Sequence, residues 1–256
     1  EPAFGEYEIS CRIAGVETIK YCLKAEDNFK LDLSKVTEVV DKSRPKGLFF
    51  TNPNNPTGQY YSRNILERLI EAMKGSLVIL DEAYISFLDP PEAGWSALDL
   101  TKKNNLLILR SMTKDFALAG LRLGYGVARR EIISSLRNIF PPWNVNAMAQ
   151  EASLYAIKSD SYLENSLHEI RKVKAYLIEG LKDLGLILVP SKANFLLVET
   201  GSGAMWRREL LKRKILVRDC ASFGLPEYIR ISVRTRAECD KLLKAMKEVR
   251  VVIPLC

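Results

Sequence analysis

The sequence predicts an α/β fold: a three-layer αβα domain built on a mostly parallel sheet, followed by a smaller C-terminal α+β domain. Three observations lead to it. Short, uninterrupted apolar runs at residues 47–51, 77–80 and 106–109 are separated by amphipathic segments, as expected of parallel strands covered on both faces. Polar clusters at 52–55, 81–84 and 111–114 each follow one of these runs, at the carboxyl edge where such sheets bind ligands. Beyond residue 146 the order changes to two helices, then strands and helices in an α+β arrangement, so the domains divide as 1–152 and 153–256.

Each element has a local reason. Residues 16–23 read as a strand, and Ser34 is placed to cap a short helix carrying Val36, Val39 and Val40. Ser62 opens a helix with Ile65, Leu66, Leu69, Ile70 and Met73 on one face, and Gly75 ends it. The run at 77–80 ends in Asp81, the run at 106–109 ends in Arg110 and Ser111, and residues 124–128 form a further strand. A helix through Ile157 leads to a long helix over 161–184, closed by Gly185. Strands at 186–189 and 194–198, a helix at 204–214 and strands at 215–218 and 228–233 follow. A capping box, Thr235 with Glu238, starts the last helix.

Composition removes several function classes. The chain has 256 residues, 47% apolar and 27% charged, which is ordinary for a soluble globular protein and excludes disordered, collagenous and disulfide-scaffold classes. No apolar run approaches the ~18 residues of a membrane span, and no charged start with a cleavable apolar stretch predicts a signal peptide. The five cysteines (Cys11, Cys22, Cys220, Cys239, Cys256) are odd in number and lack a CxxC pair, which predicts free thiols and a cytoplasmic location. Cys and His ligands at metal spacing are absent, so no metal is expected. The single histidine, His168, falls on a charged helical face and reads as solvated. Chemistry therefore falls to Lys, Asp, Tyr, Arg or a cofactor. The net charge of +7 is spread along the chain without runs of five; it gives nucleic-acid binding no support and suits small anions equally well.

Four segments carry chemistry: TNPNNPTG at 51–58, LVILDEAYISF at 77–87, LLILRSMTKDFALAGLRLGY at 106–125 and ILVRDCASFGLPEYIRIS at 215–232. Lys114 lies just past a buried strand, with Arg122 eight residues on. A lysine partly desolvated beside a second cation has a lowered pKa and becomes a nucleophilic amine toward carbonyls, the aldehyde of pyridoxal phosphate included. The hydroxyls of Ser111 and Thr113, with Arg122, suit a phosphate dianion. Asp81 ends its strand as a carboxylate in need of a cationic partner, for which a protonated pyridine nitrogen serves. Tyr84, three residues on, can bond a ring oxygen. Four apolar residues before Asp-Glu also describe the metal-holding strand of phosphate-cleaving ATPases; that class needs GxxxxGK[ST], which has no match here. Two Asn-Pro steps, Asn52-Pro53 and Asn55-Pro56, predict a stiff turn with a cis bond at the second, able to aim an Asn at a ligand. Arg218 and Arg230, each in a short strand of the second domain, are placed to grip substrate anions across an interdomain cleft.

Together these segments resemble the fold-type I, pyridoxal-phosphate-dependent aminotransferase family, over nearly the whole chain and in order. The resemblance implies that Asn55 and Tyr84 bind the cofactor's ring oxygen and Asp81 its ring nitrogen. Lys114 would hold it as a Schiff base, and Ser111, Thr113 and Arg122 would bind its phosphate. Phe4, in EPAFGEY, falls where an aromatic stacks on the pyridine. Arg230 matches the family's carboxylate-binding arginine, with Arg218 and Asn194 as further substrate-binding positions. Two branches share these motifs: histidinol-phosphate aminotransferases and threonine-phosphate decarboxylases of cobalamin biosynthesis. EPAF, RSMTK, PWNVNAMA and VRDCASFGL look more similar to the decarboxylase branch, which implies loss of carbon dioxide from O-phospho-L-threonine. The alternatives are transamination of histidinol phosphate and a non-catalytic, aminotransferase-like binding module. The resemblance also implies a small phosphorylated amino acid or amine as substrate, a homodimer, and no nucleic-acid or membrane partner. In the family a further N-terminal segment precedes EPAF, with a loop that binds the cofactor phosphate and an aromatic residue that completes the neighbouring subunit's site; an incomplete N-terminus is therefore expected here.

Overall fold

The computed structural model describes residues 1–89, 92, 95–102 and 105–253; Cys256 lies outside them. In chain order the elements are α1 (Glu6–Ile13), α2 (Leu33–Ser43), β1 (Gly47–Thr51), α3 (Arg63–Ala72), β2 (Leu77–Asp81), β3 (Leu106–Ser111) and α4 (Met112–Asp115). They continue with β4 (Gly124–Val127), α5 (Arg130–Arg137), α6 (Ala147–Ile157), α7 (Asp160–Asp183), β5 (Ile187–Val189) and β6 (Phe195–Glu199). The chain closes with α8 (Gly203–Lys212), β7 (Arg218–Asp219), β8 (Tyr228–Ser232) and α9 (Arg236–Val252). Short 3-10 turns lie at Ile85–Phe87, Ala97–Lys102, Ala119–Leu121 and Ala221–Phe223.

Two compact units result: one joins Leu31–Pro53 to Tyr60–Ser166, the other joins Glu1–Lys30, Asn54–Gln59 and the chain from Leu167 onward. The first holds the sheet β1-β2-β3-β4. Its three apolar runs pair in parallel, as predicted, and β4 adds an antiparallel edge to β3. Leu66, Leu69, Ile70 and Met73 of the α3 stretch are buried on one face, as the periodicity requires. The register puts Thr51 beside Asp81 and Asp81 beside Leu109, so the carboxyl ends of β1, β2 and β3 form one edge. The ladder runs on past the strands: Asn52 N donates to Asp81 O (2.9 Å) and Glu82 N to Leu109 O (2.9 Å).

The second unit holds an antiparallel sheet of order β5-β6-β8-β7. Period-2 alternation splits its side chains cleanly. Leu196, Val198, Ile229 and Ile231 face a core with Leu177 and Leu181 of α7, Trp206 and Leu210 of α8, and Met246 and Val249 of α9. Leu197 and Tyr228, on the opposite face, pack with Phe29, Val189 and Cys220. The capping box at Thr235 is present in full.

Three local expectations change. Residues 16–23 form no strand: residues 16–20 are exposed, and the segment is tied to α1 and the N-terminus instead, by Val16 N to Cys11 O (2.9 Å), Lys20 Nζ to Glu8 Oε2 (2.6 Å), Glu1 N to Tyr21 O (2.6 Å) and Leu23 N to Glu1 O (2.7 Å). Asp32 caps α2 in place of Ser34, taking hydrogen bonds from Ser34 N (3.1 Å) and Lys35 N (3.3 Å). A carboxylate accepts from the orphan amides more strongly than a hydroxyl does, and the Ser34 hydroxyl, also bonded to it, helps hold Asp32 down to about 2. The strand read at 215–218 is the shorter β7, set two residues later. Among the described residues, no helix is long and apolar enough to cross a membrane, and no cluster of three or more His, Cys, Asp or Glu is arranged to hold a metal.

Candidate active site

The edge of the first sheet gathers Asp81, Tyr84, Ser111, Thr113 and Lys114 of the residues singled out from the sequence. β3 ends at Ser111, and α4 starts at once, with Met112 N bonded to Leu123 O (3.2 Å). This turn stacks three side chains in a line: the Ser111 and Thr113 hydroxyls lie 2.7 Å apart, and Lys114 Nζ donates to Thr113 Oγ1 at 3.0 Å. The Lys114 Nζ also lies 6.0 Å from the centre of the Tyr84 ring. Lys114 is exposed, whereas Thr113 is buried, so the amine stands over the strand edge on a fixed base, without the partial desolvation that the sequence suggested. Asp81, at the tip of β2, accepts from Ala83 N (2.8 Å), which closes the turn into Tyr84. Arg122 does not join this group: it sits in the left-handed region (φ 58°) and donates to Ala119 O (3.0 Å).

The Asn-Pro turn belongs to the second unit from Asn54 onward. Asn52-Pro53 and Asn55-Pro56 are both cis. Asn52 is fully buried and locked to Tyr61, Oδ1 accepting from Tyr61 N (2.8 Å) and Nδ2 donating to Tyr61 O (2.9 Å), a structural part. Asn54 Nδ2 donates to Pro2 O (3.1 Å) and Thr57 Oγ1 (3.0 Å), and Gly58 N to Asn54 O (2.7 Å). Gly58 has φ +72°, and a Cβ there would meet Ser191 Oγ at 2.0 Å, so only glycine closes this turn. The fixed turn presents Asn55, buried, whose Oδ1 accepts from Arg230 Nη1.

Arg218 and Arg230 are direct cross-strand partners in the β7–β8 ladder and so project from the same face. Each guanidinium is held separately. Arg230 lies 5.0 Å from the centre of the Phe195 ring and keeps a buried Nε without a hydrogen-bond partner. Arg218 donates to Ser222 Oγ (2.8 Å) and lies 5.5 Å from the Phe223 ring. Two like charges placed opposite each other cost stability, and a pair kept rigid at that cost suits an anion. Between them in sequence, burial pushes the Cys220 thiol up to about 11 against the lowering pull of Arg230 and Arg218, which makes it a packing group. Asn194 is half-buried, its carbonyl accepting from Val233 N (2.9 Å). Phe4 is 43% exposed and meets Tyr7 edge-on (5.7 Å).

The sequence reading missed a buried network under the lysine. Glu82 is buried and accepts from Ser96 Oγ (2.6 Å) and Ala97 N (2.9 Å), while Arg110 Nε lies 3.0 Å from its Oε2. Asp115, next to Lys114, accepts from Ser86 Oγ (3.0 Å), and its other oxygen is buried without a hydrogen-bond partner. Burial pushes its carboxyl up to about 6, against the lowering effects of Ser86 and Arg110. A carboxyl raised by folding weakens the fold above its folded pKa, and the weakening fades as pH falls from about 6 toward the ordinary value near 3.8. Asp115→Asn is therefore expected to stabilise the protein at pH 7 by roughly 1–3 kcal/mol. Denaturant unfolding at pH 7 and pH 4 checks this: the gain should shrink at the lower pH.

The model of the family described as aminotransferase class I and II matches residues 1–246. The chain belongs to this family. Its curated relatives include histidinol-phosphate aminotransferase 1 of Thiobacillus denitrificans, 35% identical over 253 residues, covering 98% of this chain and 65% of that protein. The chain thus spans about two thirds of that relative's length. Among solved structures, the histidinol-phosphate aminotransferase of Clostridium acetobutylicum matches with TM-score 0.90 and 30% identity, covering 98% of this chain and 76% of that one. The L-threonine-O-3-phosphate decarboxylase of Porphyromonas gingivalis matches with TM-score 0.83 and 27% identity over 97% of this chain and 74% of that one. The aminotransferase family carries the α/β fold and the pyridoxal phosphate cofactor that the sequence resemblance implied.

Proposed function

We propose that the protein is a pyridoxal-phosphate-dependent aminotransferase acting on a phosphorylated amine of the histidinol-phosphate kind. The observation that carries the reading is Lys114: an exposed amine bonded to Thr113, in line with Ser111 and facing Tyr84, at the carboxyl edge of three parallel strands. The donor set fits the cofactor, with two hydroxyls for an anion, an amine beside them for its carbonyl and a carboxylate at the neighbouring strand tip. When bound, pyridoxal phosphate supplies an electron sink for bonds at the substrate's amine-bearing carbon.

The protein's own residues do the rest. Lys114 Nζ would hold the cofactor through its carbonyl and, when displaced by the substrate amine, would carry the proton to and from the amine-bearing carbon. Asp81 would hold the proton of the ring nitrogen. By the resemblance, Tyr84 and Asn55 would bond the ring oxygen, Ser111 and Thr113 the phosphate, and Phe4 would cover the ring; Arg122, implied for the phosphate as well, donates instead to Ala119 O. Arg218 and Arg230 bind substrate anions, and their cross-strand pairing favours a substrate with two of them or two substrates used in turn.

The sequence motifs alone leaned toward decarboxylation of O-phospho-L-threonine. The relatives favour transamination: those of Thiobacillus denitrificans and of Methanococcus aeolicus, at 35% and 36% identity, are both histidinol-phosphate aminotransferases, while the decarboxylase is a structural neighbour at 27%. Two assays with added pyridoxal phosphate separate them. Histidinol phosphate with a dicarboxylate keto acid should yield the corresponding amino acid at catalytic turnover. Carbon dioxide released from O-phospho-L-threonine without any keto acid would overturn transamination in favour of the decarboxylase.

A further inference from the structure

We propose that Asp115 is a positioning residue for Lys114, acting through its hydrogen bond with Ser86. The inference rests on the reading of Lys114 as the lysine that links to pyridoxal phosphate.

Lys114 sits in α4, a helix of four residues. A helix that short does not hold itself, because its one hydrogen-bonded turn barely offsets the cost of nucleation. Its turn is closed by Phe116 N to Met112 O (3.2 Å). The position of Lys114 therefore depends on ties to the surroundings. The front of α4 is tied by Met112 N to Leu123 O (3.2 Å). The back is tied by Asp115 Oδ2, which accepts from Ser86 Oγ at 3.0 Å.

Ser86 is a firm anchor. It lies in the 3-10 turn Ile85–Phe87, whose Ile85 and Phe87, like the following Leu88, are buried in the core. Tyr84 caps that turn, and its ring stands 6.0 Å from Lys114 Nζ. One side-chain bond thus fastens the helix of the lysine to the turn of the tyrosine. Arg110 of β3 also acts on Asp115 through its charge, but its guanidinium is engaged with Glu82, and Ser86 donates the hydrogen bond to this carboxylate. The other carboxylate oxygen is buried without a hydrogen-bond partner, a standing cost that an amide or an apolar residue would lessen. A costly group kept beside a reactive amine is accounted for by the alignment it provides.

The test measures the rate at which Lys114 takes up pyridoxal 5'-phosphate, stopped by borohydride and read on the Lys114 peptide by mass spectrometry. Ser86→Ala and Asp115→Ala should each slow this labelling about tenfold. The double variant should be no slower than the slower single, because both remove one bond. Asp115→Asn, which keeps an acceptor for Ser86, should label near the parent rate. Parent-rate labelling in Ser86→Ala and Asp115→Ala, multiplying effects in the double variant, or Asp115→Asn as slow as Asp115→Ala would each overturn the proposal. Ser86→Ala removes a single hydroxyl and carries the test if Asp115→Ala fails to fold. Absence of labelling at Lys114 in the parent overturns the cofactor reading itself, and this proposal with it, a result distinct from parent-rate labelling in the variants.

Discussion

Lys114→Ala should lower amino transfer by about 10³-fold or more, since one amine supplies both the covalent link and the proton transfer. The fold should hardly register the change. Lys114 is exposed, and Thr113, to which its amine donates, keeps Ser111 as a partner. Thermal unfolding measured beside the rate separates the two effects: a large loss of turnover with an unchanged melting temperature is the expected pair. Turnover within tenfold of the parent would remove Lys114 from the chemistry.

Arg230→Ala should lower kcat/KM by about 10²–10³-fold, from losing a charge-assisted pair of bonds worth about 3–4 kcal/mol. Arg230 is set for such a role. Asn55 and the Phe195 ring hold its guanidinium, and its Nε is buried without a hydrogen-bond partner. Lysine in its place offers one point of charge and no fork, so Arg230→Lys should recover little. Arg218→Ala should cost less, because Arg218 is exposed and its bond to Ser222 lies at the surface. Steady-state kinetics with each anionic substrate varied in turn shows which anion each arginine meets. Equal kinetics for Arg230→Ala and the parent would assign Arg230 to structure alone.

The sequence reading succeeded where information is local. Parallel strands are legible because buried strands are apolar throughout, and each ends in the polar residues that form the edge: Thr51 and Asn52, Asp81 and Glu82, Arg110 and Ser111. The turn at 51–58 is legible because its prolines fix the backbone and Gly58 permits the positive φ that closes it. Failures arise where a distant partner decides. Residues 16–23 carry strand-like residues but pair with no described strand, so they form no ladder and residues 16–20 stay exposed. Helix α5 escaped notice because Ile132, Ile133 and Leu136 make a stripe too short to stand out among charged residues. Nothing local marks Asp115 beside Lys114; its hydrogen bond with Ser86, 29 residues away, forms only in the fold. The alignment of Arg218 with Arg230 depends on strand register, which the turn between them does not reveal.

The most direct test of the account is where pyridoxal phosphate attaches. The protein is incubated with the cofactor, reduced with borohydride and digested, and the peptides are mapped. The account predicts one dominant reduced pyridoxyl group, on Lys114, displaced when the amine substrate is added before reduction. Label scattered over other lysines with Lys114 unmodified would contradict it.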